Sequence, residues 1–276
     1  MRIDAHQHFW TYDAGRYPWI GPELQDLARD FGPTDLAPLL RAESVDGSIA
    51  VQARQDLEEI VELLVHAEKH AEVLGVVGWI DLSSDKAASQ LDLFDCKHLL
   101  GLRHVLQDEP DDNYMLGAAF QRGLGLLAAR DLVYDILIHP RHLTAAVQLV
   151  DAHPNQVFVL DHLAKPFIKS GEIEPWREHL AELARRPQVS IKLSGLVTEA
   201  DWASWTTADL VPYLDAALEA FGPERVMFGS DWPVCTLAAS YSDVCKALRA
   251  WADAQGSSLQ SGLWGENAAR IYGIER

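Results

Sequence analysis

Short apolar runs recur along the chain at 2–7, 47–53, 73–80, 99–106, 133–138, 156–161, 189–194 and 225–230. Most of them end in polar residues, as expected of strands buried on both faces. Between them the apolar spacing changes to the helical period. Leu57, Ile60, Val61, Leu64 and Ala71 share one face of 56–71. Leu143, Ala146, Val147 and Val150 do the same in 143–153, and Val244, Leu248 and Trp251 in 242–254. Gly222-Pro223 stops a helix before the eighth strand. Eight strands alternating with helices in 276 residues predict a single α/β domain over 1–276, a (β/α)8 TIM barrel of the usual ~250-residue size. Two segments depart from the alternation. Residues 9–33 are aromatic and rich in Gly and Pro, and by following strand 1 they fall at the catalytic mouth as a lid or a side wall. Residues 257–272 read as an extra C-terminal helix.

Composition narrows the partners. Lys and Arg number 23 against 41 Asp and Glu, a net charge of −18 that disfavours nucleic acid and anionic membranes. The three cysteines, Cys96, Cys235 and Cys245, are widely spaced, which fits a reducing cytoplasm better than a disulfide framework or a zinc ribbon. The N-terminus lacks the basic and apolar regions of a signal peptide. No apolar run approaches the roughly 18 residues of a membrane span. No heptad pattern sets an oligomeric state.

In a barrel the C-terminal strand ends share one face, so residues distant in sequence become neighbours there. Those ends carry His6, His8, Gln52, Arg54, Asp81, Arg103, His104, His139, Asp161, His162, Lys192, Ser194 and Asp231. His6 and His8 stand two apart and converge on one point. With Asp231 from the last strand they form a set able to hold one divalent ion or to run acid–base chemistry on a carbonyl. His139 opens a loop and is either a turn residue or a ligand. Trp10, Trp19 and Trp232 are placed near the pocket, where an indole face suits a sugar ring. A P-loop, a Gly-x-Ser-x-Gly elbow and a complete dinucleotide fingerprint are absent. Lys165 and Lys192 could serve a Schiff-base aldolase, but the histidines would then have no purpose.

The phrases Ile3-Asp4-Ala5-His6-Gln7-His8-Phe9-Trp10, Gly101-Leu102-Arg103-His104, Leu160-Asp161-His162-Leu163-Ala164-Lys165-Pro166 and Phe228-Gly229-Ser230-Asp231-Trp232-Pro233-Val234 resemble the sugar-lactonase group of the amidohydrolase superfamily, in its second-type branch. Members of that group include L-fuconolactonase and L-rhamnonolactonase. The resemblance spans essentially the whole chain. It implies a distorted barrel that hydrolyses a sugar lactone, L-fuconolactone or another aldono-1,4-lactone, to the open aldonic acid. It implies a catalytic set of His6, His8, His162 and Asp231, with Asp231 as general base. Arg103 and Lys165 are expected to orient substrate, and Gln52, Trp19, Trp232 and His104 to contact it. Arg103-His104 replaces the lysine that would bridge two metals. The resemblance therefore implies at most one ion, zinc first, on His6, His8 and Asp231, and does not require it. A metal-dependent decarboxylase or other hydrolase of the superfamily, and a non-catalytic carbohydrate-binding barrel, are the competing readings.

Overall fold

The computed structural model describes residues 1–94 and 96–275. Its eight strands are β1 (Ile3–Gln7), β2 (Gly47–Val51), β3 (Val73–Gly78), β4 (Leu99–His104), β5 (Val133–Ile136), β6 (Phe158–Leu160), β7 (Val189–Leu193) and β8 (Val226–Phe228). They follow one another in chain order, and every neighbouring pair is parallel. Closure of the ring falls just beyond β8. The His8 amide donates to the Trp232 carbonyl at 2.7 Å and the Asp231 amide to the His6 carbonyl at 2.8 Å. The Asp4 carboxylate adds a clamp by accepting from the Ser230 amide at 2.8 Å. This is the (β/α)8 barrel expected from the alternation, and its distortion lies in the three-residue β6 and β8.

The helices are α1 (Pro33–Ala42), α2 (Leu57–Lys69), α3 (Ala87–Leu93), α4 (Ala118–Leu124), α5 (Leu143–Ala152), α6 (Trp176–Ala184), α7 (Leu196–Glu199), α8 (Thr207–Phe221), α9 (Tyr241–Gln255), α10 (Ser257–Ser261) and α11 (Asn267–Ile271). Their apolar faces cover the strands in one large core. A second apolar cluster takes Ile3, Ile49, Val77, Leu100, Val133, Val159 and Met227 from seven different strands, together with Tyr272. Side chains from so many strands meet only inside the barrel, so the C-terminal segment plugs one end of it. The expected helix 257–272 is broken. Gly265 lies against the N-terminal backbone, where a Cβ would stand 2.3 Å from the Met1 carbonyl oxygen, and its own backbone is non-helical.

The insertion is a side wall. Trp10 and Phe31 exchange backbone hydrogen bonds of 2.9 Å. Trp10, Tyr17 and Phe31 are buried, and Gly15, Arg16, Pro18 and Trp19 face a cavity of about 830 Å³ at the C-terminal strand ends.

Candidate active site

His8 leaves β1 with its ring fixed. Its Nδ1 lies 2.8 Å from the Val51 carbonyl, which can only accept, so Nδ1 carries a proton and Nε2 is the atom turned to the site. Nε2 faces Asp231 Oδ1 at 3.3 Å and His6 Nε2 at 3.2 Å. Two acceptors at such a distance require a proton or a cation between them.

His162 is set by an unusual backbone. His162, Leu163, Ala164 and Lys165 all have positive φ, between 52° and 57°. A left-handed turn of L-residues costs about 1–2 kcal/mol per residue. Burial of Leu163 and Ala164 and a 2.7 Å hydrogen bond from Trp176 Nε1 to the Leu163 carbonyl hold it. The turn ends β6 early and points the imidazole inward, with Nδ1 2.9 Å from Ser194 Oγ and Nε2 3.9 Å from Asp231 Oδ1. Gly195 is required beside it. Its φ is +65°, and a Cβ there would stand 2.6 Å from His162 Nδ1. Burial lowers His162 to about 4, leaving it neutral at pH 7. Burial alone would raise Asp231, but His162, His8 and His6 outweigh it and hold the carboxyl well below the usual carboxylate range.

Beneath these groups lies a column of buried charge. Lys192 pairs with Asp135 and, at 3.0 Å, with Asp161. Asp161 accepts from Arg103 Nη1 at 2.9 Å and lies 3.3 Å from His6 Nδ1. Burial would raise Asp161, but Lys192, His6 and Arg103 keep it ionised, well below its ordinary value. Asp135, which also accepts from the Tyr272 hydroxyl at 2.8 Å, is pushed by burial up to about 6. Arg103 faces a partner with each of its five N–H groups. Nε donates to Gln52 Oε1, Nη2 to Gln52 Oε1 and to the Gln52 carbonyl, and Nη1 to Asp161 and to His6 Nε2.

The structure thus brings His6, His8, His162 and Asp231 together and places Arg103 and Gln52 against them. His8, Trp19, Gln52, Arg103, His162, Lys165 and Asp231 line the cavity, while His6 is fully buried behind them. The Lys165 ammonium has no hydrogen-bond or ion-pair partner among the described residues. Three residues expected at or near the pocket do not line it. Trp232 and Trp10 are buried in the aromatic packing around Phe31, at ring distances of 5.4 and 5.3 Å, and do not line the cavity. His104 is also off the cavity. It accepts from Trp79 Nε1 at 3.1 Å, pairs with Glu109 at 2.7 Å, and so backs Trp79, which does line it. His139 stacks on His142, which pairs with Asp112 at 3.0 Å.

Asp161 and Lys192, expected at strand ends, support the floor together with Asp135 and Asp4, which carry no site role in the sequence. Charged residues inside otherwise apolar strand runs were the available signal.

The donor set fits one metal ion. His6 Nε2, His8 Nε2 and Asp231 Oδ1 are separated by 3.2, 3.3 and 3.9 Å. Ligand bonds of about 2.0–2.1 Å at tetrahedral angles put donors about 3.3 Å apart, so two separations match and the third is slightly open. Those three residues form a candidate metal group, and His6, Asp161 and His162 form a second.

A protein-family model described as an amidohydrolase matches residues 3–274. An L-fucono-1,5-lactonase of Burkholderia multivorans is 45% identical, with 99% of this chain and 96% of the relative covered. An L-fucono-1,5-lactonase of Burkholderia ambifaria is 38% identical over 100% of this chain and 97% of its own. A crystal structure of an amidohydrolase from Burkholderia multivorans with bound zinc superposes with a TM-score of 0.95, at 45% identity over 100% of both chains.

Proposed function

The chain belongs to the amidohydrolase family, and on that premise we propose that it hydrolyses a sugar lactone, L-fucono-1,5-lactone or a close analogue, to the open aldonic acid. The six-membered 1,5-ring is taken from the names of two relatives. Residues 1–276 are read as one catalytic domain acting in the cytoplasm, where its free cysteines stay reduced.

One observation carries the reading. An ionised carboxylate, Asp231, stands on the floor of a cavity of about 830 Å³ beside the His8 imidazole and the Lys165 ammonium. Asp231 takes a proton from water as the water oxygen bonds to the lactone carbonyl carbon. The oxyanion is held by Lys165, a lining cation with donors to spare. Arg103, its donors committed, contributes by holding Gln52 and Asp161 and by its charge. Collapse of the intermediate breaks the bond to the ring oxygen, which takes the proton back from Asp231. Trp19, anchored by a 3.0 Å hydrogen bond from Nε1 to the Ala53 carbonyl, offers its face to the sugar ring. His6, His8 and Asp231 would hold a zinc ion, which when bound supplies Lewis-acid polarisation of the carbonyl.

A carbohydrate-binding role without catalysis leaves the buried base unexplained. Acid release at controlled pH from L-fucono-, L-galactono-, L-rhamnono- and D-arabinonolactone tests the proposal. L-Fuconolactone is expected to be hydrolysed fastest. Rates equal to the uncatalysed ones across the panel would refute a lactonase.

A further inference from the structure

His6 is the one member of the candidate metal group that meets a buried cation at each ring nitrogen. Arg103 Nη1 lies 3.2 Å from Nε2 and Lys192 Nζ lies 3.2 Å from Nδ1. A neutral imidazole carries one proton and one available lone pair. If the proton is on Nδ1, where Asp161 Oδ1 stands at 3.3 Å to accept it, the Nε2 lone pair takes the Arg103 N–H. If it is on Nε2, Lys192 donates to Nδ1 and the Nε2–H points at His8 Nε2. In neither form does His6 offer a free lone pair at Nε2, the atom an ion would need. His8 differs, because the Val51 carbonyl leaves its Nε2 open.

The same two cations close the second candidate group. Asp161 Oδ2 is 2.9 Å from Arg103 and Oδ1 is 3.0 Å from Lys192. An ion at His6 therefore displaces a charge-assisted contact and stands against a guanidinium only 3% exposed, where screening is weak.

We propose that Arg103 is a brake on metal binding at the barrel floor: its guanidinium occupies His6 Nε2 and Asp161 and so keeps the His6–His8–Asp231 group a weak, exchangeable zinc site.

Calorimetric titration of zinc into chelator-stripped, full-length protein tests this without reference to turnover. Arg103→Met is expected to tighten zinc by at least ~10-fold relative to wild type. Arg103→Lys, which keeps the charge but loses the fork, is expected to fall between them. Adding His8→Ala to Arg103→Met is expected to abolish the gain. Cobalt substituted for zinc gives a second readout, a visible absorption band from a nitrogen and oxygen site that strengthens in Arg103→Met. If Arg103→Met melts before titration, Arg103→Gln, which retains an amide donor toward Gln52, takes its place. Unchanged or weaker zinc affinity in the folded variant, or a gain that survives His8→Ala, overturns the proposal. Either result leaves the lactonase reading standing, and failure of the lactone panel leaves this one standing.

Discussion

The floor and the wall of the cavity are built from similar charges used in opposite ways. On the floor, Arg103, Lys192, Asp135 and Asp161 are at most 3% exposed, and each cation meets a carboxylate. On the wall, Arg16 keeps 36% of its side chain exposed while reaching Glu58 and, at 3.4 Å, Glu62. Arg54 joins the insertion to the barrel, donating to Tyr17 Oη at 2.7 Å and pairing with Glu62 at 3.2 Å. Charges out of water must be fully paired, so the floor has few alternative arrangements. Exposed pairs hold their partners weakly and tolerate rearrangement. Proton transfer needs the first kind of surface and selection among sugars the second.

That contrast is sharpest in the effect of removing the base. Asp231→Asn should lower turnover by ~10²–10⁴ with little change in KM, measured by acid release on a variant whose circular dichroism matches wild type. Turnover within threefold of wild type would remove Asp231 from the chemistry. Stability should divide the same way. Lys192→Met leaves Asp135 and Asp161 without their shared cation, and urea unfolding should show a loss of about 3–5 kcal/mol. Arg16→Ala on the wall should cost ~0–1 kcal/mol. Comparable losses from the two would erase the distinction. Within the wall, Trp19→Ala should raise KM by ~10-fold and leave kcat within ~3-fold, as loss of uniform binding does. A fall in kcat at unchanged KM would place the indole in the transition state instead.

A pH-dependent effect is expected at the joint between the two regions. Glu59, on α2, is buried and accepts from the Ala53 and Arg54 amides at 3.0–3.1 Å, fixing the residues that follow β2. Burial raises it from 4.5 to about 8 despite those amides. The folded state thus keeps a proton that the unfolded chain loses above about 4.5. Glu59's contribution to stability is present below that pH and declines as pH rises toward about 8. Glu59→Gln does not titrate, so wild type should lose stability relative to the variant across that interval. Parallel urea-stability curves between pH 5 and pH 8 would contradict the raised value.

Much of this was legible in the linear chain. All eight strands fall inside the apolar runs, because a strand buried on both faces announces itself by composition alone. His6, His8, His162 and Asp231 were readable as strand-end residues, since barrel topology puts every such end on one face. The boundaries were not. The run 156–161 shortens to Phe158–Leu160 because the next residues form a left-handed turn, a conformation that Asp-His-Leu-Ala-Lys does not advertise. Trp232 and His104 looked like pocket residues by position, and side-chain packing turned one toward Phe31 and the other toward Glu109.

The sequence by itself determined the barrel, the family and which groups can carry a proton or an ion, since these follow from periodicity and residue chemistry. Only the tertiary structure decided which of those groups are free. Arg103 and Lys165 read alike as cations near the site, yet one has every donor committed to Gln52, Asp161 and His6 while the other faces the cavity. His6 and His8 read alike as a pair, yet one ring is met by cations at both nitrogens and the other is held open by a carbonyl. Hydrogen-bond capacity belongs to the residue type, but its occupancy depends on neighbours far along the chain, as Lys192, 186 positions on, is from His6.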